Sequence, residues 1–153
     1  MSEAVDVSNN SHTGGRGVEL QRMHFGSCLC GAVRFEVQGE FQRFYLCHCE
    51  YCRKDTGSAH AANLFSPGAT LRWLTGKDHV TCFTLPSTRH SKCFCSTCGS
   101  ALPSVQLDDT LLVVPAGSLD SDISLKPDAH IFGSSRAHWD HGLDEIRVIE
   151  GAP

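Results

Sequence analysis

The chain has 153 residues, 41% of them hydrophobic and 20% charged, with a formal net charge of −4 and a pI near 6.1. These values fit one globular domain, long enough to bury a sizeable core. The longest strongly apolar run, Leu111 to Ala116, is far too short to span a membrane, and no basic run exceeds Arg53-Lys54, so neither a membrane nor a nucleic-acid partner is expected.

Residues 1–22 are Ser, Asn, Gly and charge without periodicity and are expected to form a disordered tail, leaving 23–150 as a single folded domain. The start, Met1 to Asn10, lacks the basic-then-apolar order of a secretory signal. Nine cysteines in that setting predict a cytoplasmic protein with reduced thiols that ligate metal rather than form disulfides. From Met23 onward the pattern is short strands. Ala32–Val37 alternates apolar and charged residues, as a half-buried strand does. A strand at Phe44–Cys47 leads into a short helical turn running from Cys49 to about Asp55. Further strands are expected at Ala61–Phe65, Leu71–Leu74, Val80–Leu85, Ser91–Phe94, Ala101–Leu107 and Leu111–Val114. Gly39, Pro67-Gly68, Gly76, Pro86-Ser87, Asp108-Asp109 and Gly117 separate them. The fold class is mainly β and mostly antiparallel.

Seven cysteines fall into three clusters: Cys28-Leu-Cys30, Cys47-His-Cys-Glu-Tyr-Cys52 and Cys95-Ser-Thr-Cys98. Alternate strand residues share a face, and a C-x-x-C turn curls back, so each cluster can aim its sulfurs at one zinc ion. The first and third clusters are both followed by glycine, Gly31 and Gly99, which tolerates the positive φ of a metal knuckle. Cys28, Cys30, Cys95 and Cys98 are therefore expected to form one closed four-sulfur site. The middle cluster offers only three sulfurs, Cys47, Cys49 and Cys52, which leaves a coordination position free, the feature that separates catalytic from structural zinc. His48 lies between two same-face cysteines, so its ring should point the other way and pack or hydrogen-bond instead of ligating. Cys82 or Cys93 closing the second site is the alternative, and it would make both zincs structural. An open three-thiolate zinc is soft and already anionic, suited to holding a substrate thiol or a carbon attached to one. Arg53 and Lys54 could recruit an anionic substrate there, or simply be solvated surface charge.

The strings Gly26-Ser-Cys-Leu-Cys-Gly-Ala-Val-Arg-Phe-Glu-Val37, Cys47-His-Cys-Glu-Tyr-Cys-Arg-Lys-Asp-Thr-Gly57 and Phe94-Cys-Ser-Thr-Cys-Gly99 resemble the glutathione-dependent formaldehyde-activating enzyme family, which includes centromere protein V. Gly117-Ser-Leu-Asp120 and His130-Ile-Phe-Gly-Ser-Ser-Arg-Ala-His-Trp139 continue the likeness. The resemblance implies a β-tent fold of the Mss4-like type and two zincs per chain. It assigns Cys28, Cys30, Cys95 and Cys98 to the structural zinc, and Cys47, Cys49 and Cys52 to the catalytic one. It also implies a carbon–sulfur lyase acting on a thiol adduct such as S-hydroxymethylglutathione, with a glutathione-like thiol as partner and the His130 to Trp139 segment on the substrate rim. Asp144-Glu-Ile-Arg-Val-Ile and His138 depart from the family pattern at that rim. Two other functions compete. One is a non-catalytic thiol-binding or zinc-stabilised interaction module. The other is a methionine sulfoxide reductase, which would need Cys82 and Cys93 as redox thiols.

Overall fold

The computed structural model describes residues 22–153, so the expected N-terminal tail, Arg22 apart, lies outside the described residues. The chain forms β1 (Met23–Ser27), β2 (Arg34–Gln38), β3 (Arg43–Cys47), α1 (Glu50–Thr56), β4 (Ala61–Ser66), β5 (Thr70–Thr75) and β6 (Val80–Thr84). There follow β7 (Ser91–Cys95), β8 (Ala101–Leu102), β9 (Ser104–Gln106), β10 (Leu111–Pro115) and β11 (Ala129–Ile131). They make three small sheets, ordered β1-β2-β5, β11-β3-β4-β10-β9 and β6-β7-β8. Every pairing is antiparallel except β11 on β3. The fold is thus mainly β, built from short sheets. Among the described residues no helix is long and apolar enough to cross a membrane.

Phe35 and Val37 of β2, Leu64 of β4, Leu102 of β8 and Val114 of β10 are fully or almost fully buried, so all three sheets lean into one core. Cys28, Cys93 and Cys95 belong to that core too. The alternation expected along β2 is broken by Glu36, which is buried as well. Its carboxylate accepts from Arg72 Nε of the neighbouring β5 at 2.6 Å, and that ion pair offsets the cost of leaving water.

Three expectations change. The single strand expected over Ala101–Leu107 is two strands, β8 and β9, because the buried Pro103 between them has no N–H for the ladder. Met23–Ser27 and Ala129–Ile131 are strands that the periodicity does not reveal. The third change is chemical. Cys82 and Cys93 face each other across the β6–β7 hairpin and form a disulfide, so the expectation that all thiols are reduced is corrected for this pair. Opposed positions of an antiparallel pair bring Cβ atoms within disulfide reach, a proximity that spacing in sequence cannot show.

Candidate metal centre

The β1–β2 connection and the β7–β8 connection meet at one end of the core. Gly31 (φ 77°) and Gly99 (φ 75°) make the left-handed turns there, and a Cβ at either would meet nothing within 4 Å, so their role is backbone conformation. These turns bring the sulfurs of Cys28, Cys30, Cys95 and Cys98 within 4.8 Å of one another. Cys28 Sγ lies 3.5 Å from Cys30 Sγ, and Cys30 Sγ lies 3.9 Å from Cys95 Sγ. A tetrahedron with Zn–S bonds of about 2.3 Å has edges of about 3.8 Å, so the spacing fits a zinc ion. The Val33 backbone N–H donates to Cys28 Sγ at 3.3 Å, as suits a thiolate acceptor.

The second cluster sits where β3 ends and α1 begins. Cys47 is the last residue of β3, Cys49 caps the N-terminus of α1, and Cys52 is buried within its first turn. Their three sulfurs also lie within 4.8 Å of one another, and among the described residues no fourth His, Cys, Asp or Glu joins the group. Cys52 N–H donates to Cys49 Sγ at 3.3 Å. Burial opposes ionisation of Cys49, but the Cys52 N–H and the adjacent thiols outweigh it, leaving its pKa below the ordinary value. Burial pushes the Cys52 thiol well up. Three thiols this close can all ionise only with a cation among them, so the donor set fits a soft divalent metal such as zinc.

His48 points away from its neighbouring cysteines and is fully buried. Its Nε2 shares a 2.7 Å hydrogen bond with His130 Nδ1, and its Nδ1 lies 3.2 Å from Asp140 Oδ2. Arg136 Nε donates to the same Asp140 oxygen at 2.8 Å and holds that carboxyl below its usual range. Burial lowers the His48 pKa against the pull of Asp140. With His48 N–H donating to Ile131 O at 2.9 Å, this network fastens residues 130–140 to the back of the three-cysteine loop.

On the other side, Cys47 and Cys52 open into a cleft of about 220 Å³. Ala61 and Asn63 of β4, Ser104 and Gln106 of β9, and Ile131 of β11 line it, together with the β6–β7 hairpin. Arg53 and Lys54, the sequence candidates for anion recruitment, do not line it; Arg89, His90 and Lys92 do. His90 Nε2 lies 2.8 Å from Asp55 Oδ2 and Lys92 Nζ lies 3.3 Å from Asp55 Oδ1, so one carboxylate engages both. Arg89 is exposed and, among the described residues, has no hydrogen-bond or ion-pair partner. Sequence reasoning missed these three residues because they carry no motif; the only cue was the Pro86-Ser87 turn before them. Of the His130 to Trp139 segment, Ile131 reaches the cleft, while Phe132 and Trp139 are largely exposed.

Comparison with known proteins adds to this geometry. Residues 23–135 match the family described as glutathione-dependent formaldehyde-activating enzyme. A Halomonas elongata protein, provisionally named as a glutathione-dependent formaldehyde-activating enzyme, is 36% identical over 125 residues, covering 74% of this chain and 77% of the relative. The crystal structure of a Rhodobacter sphaeroides protein superimposes with a TM-score of 0.52 at 25% identity, covering 69% of this chain and 98% of that one.

Proposed function

The protein belongs to the glutathione-dependent formaldehyde-activating enzyme family, and from that premise we propose that it is a cytoplasmic carbon–sulfur lyase with two zincs per chain, acting on a thiol adduct such as S-hydroxymethylglutathione. One observation carries the reading: three convergent thiols are joined, among the described residues, by no fourth protein ligand, and two of them (Cys47 and Cys52) form part of the wall of a cleft. In the proposal Cys28, Cys30, Cys95 and Cys98 hold a structural zinc and Cys47, Cys49 and Cys52 a catalytic one.

When bound in the second site, zinc supplies an exchangeable position that favours a polarisable sulfur over a hard oxygen anion. The chain's own residues do the rest. Cys47 and Cys52, which line the cleft, would hold the metal within reach of a ligand bound there. Asn63, Ser104 and Gln106 offer hydrogen bonds to a small oxygen substituent such as a hydroxymethyl group. At about 220 Å³ the cleft is below the ~300–1,000 Å³ of pockets that enclose drug-sized ligands, so it takes the thiol and its one-carbon adduct while the rest lies over the rim. Arg89 on that rim supplies positive charge for a carboxylate.

The test is exchange spectroscopy by NMR on formaldehyde and glutathione with the zinc-loaded protein. Both formation and breakdown of the adduct should accelerate over the uncatalysed rates. Cys47→Ser should abolish the acceleration while the other zinc and the fold remain. Thiol binding without any acceleration would instead make the protein a non-catalytic thiol-binding module.

A further inference from the structure

The Cys82–Cys93 disulfide is chemistry the lyase reading leaves unused. It sits in the cleft wall: Cys93 lines the same space as Cys47 and Cys52, while Cys82, on the edge strand of its sheet, is solvent-exposed. The register across the sheet places Cys82, Cys93 and Leu102 in one row over β6, β7 and β8. Leu102 and Ala101 of the neighbouring β8 also line the cleft. A thiolate attacks a disulfide in line with the S–S bond and the far sulfur is the leaving group, so attack on Cys93 from the cleft expels Cys82. Arg89 at the hairpin end, without a partner among the described residues, gives the cleft a positive character that favours an anionic thiol in its thiolate form.

We propose that the Cys82–Cys93 disulfide is a thiol-exchange centre opened from the cleft by a small anionic thiol, which becomes disulfide-linked to Cys93 and frees Cys82. The attacking thiolate forms a new S–S bond to Cys93 Sγ. The Cys82–Cys93 bond breaks, and its electron pair leaves on Cys82 Sγ, which takes a proton from water at its exposed position. One disulfide replaces another, so this step needs no outside oxidant. A second thiol of the same kind can then release Cys93 as a free thiol and depart as the symmetrical disulfide. The inference rests on the proposed function in one respect, that the cleft admits a thiol. It adds a second chemistry for that thiol and a covalent attachment point.

The test uses full-length, zinc-loaded, oxidised protein with reduced glutathione, quenched with acid, alkylated and mapped by peptide mass spectrometry. Glutathione should appear on Cys93 and the alkylating group on Cys82. In a second arm, folded Cys82→Ser protein treated with oxidised glutathione should acquire the same Cys93 adduct. Glutathione on Cys82 alone would overturn the cleft-side attack. So would an intact disulfide at thiol concentrations that already perturb cobalt placed in the three-cysteine site; in that case the lyase reading stands and this one falls. Exchange at Cys93 in a protein whose cobalt ignores thiols would support the exchange centre and remove the metal-held substrate.

Discussion

Replacing Arg89 by alanine tests how the cleft selects its substrate. Lys92 and His90 share the Asp55 carboxylate, so Arg89 is the cleft-lining cation left without a partner among the described residues. It stands on the exposed end of the β6–β7 hairpin, where water screens its charge. A carboxylate paired with it there should contribute about 0.5–1 kcal/mol, which is roughly a two- to fivefold change in affinity. Arg89→Ala should therefore raise KM for glutathione by about that factor and leave kcat unchanged, since the contact is the same before and during the reaction. Added salt should raise the wild-type KM toward that of the variant. Steady-state rates with glutathione and with its diester, which lacks both carboxylates, at low and high salt, read this out. The diester, with no carboxylate for Arg89 to pair with, should show no rise in KM on either the substitution or added salt. A fall in kcat with KM unchanged, or an equal effect on both thiols, would refute the assignment.

The remaining predictions concern the frame around the site. Gly31→Ala adds a Cβ in open space at φ 77° and should cost about 1–2 kcal/mol in denaturant unfolding of metal-loaded protein. Gly76→Ala drives its Cβ into the Ala32 carbonyl oxygen at φ 67°, against backbone that cannot swing aside; it should cost more than about 3 kcal/mol, and equal losses would discredit the geometry. The Cys82→Ala/Cys93→Ala double variant opens a cross-link of sequence separation 11; chain entropy puts the loss near 3 kcal/mol, roughly 6–12 °C in Tm by calorimetry, and an unchanged Tm would show that the disulfide does not constrain the chain. Because Asp140 titrates below its usual range, its contribution is present above about pH 3.9 and is lost as pH falls through its folded value; Asp140→Asn should be less stable than wild type near neutrality, with the two converging in acid, and parallel curves would contradict the role of Arg136.

The sequence exposes the cysteine clusters because metal ligation needs sulfurs at short, fixed spacings, and glycine follows where the backbone must turn left-handed. Gly31 and Gly99 both do so. Strands with apolar runs between turn residues were equally legible, as β4 and β10 illustrate. β11 was not: Ala129-His-Ile131 alternates over only three residues, too few to signal a strand, and exists because β3 offers it a parallel edge. The pairing of Cys82 with Cys93 was hidden for a related reason, since only the hairpin register brings them opposite each other. The inward turn of His48 followed from strand alternation, whereas its partners His130 and Asp140 arrive from elements over eighty residues away in sequence. The cleft cations were illegible because charge on a hairpin reads as solvated surface until the fold shows what it faces.

The central claim, one closed and one open metal site, is tested most directly by titrating thiols into cobalt-substituted protein carrying two metals per chain. Glutathione and a small neutral thiol should each change the thiolate charge-transfer and d–d bands of one cobalt, with acetate leaving them unchanged and the other cobalt silent throughout. Unchanged bands with every thiol, in protein shown to hold both metals, would contradict the account and leave two closed structural sites.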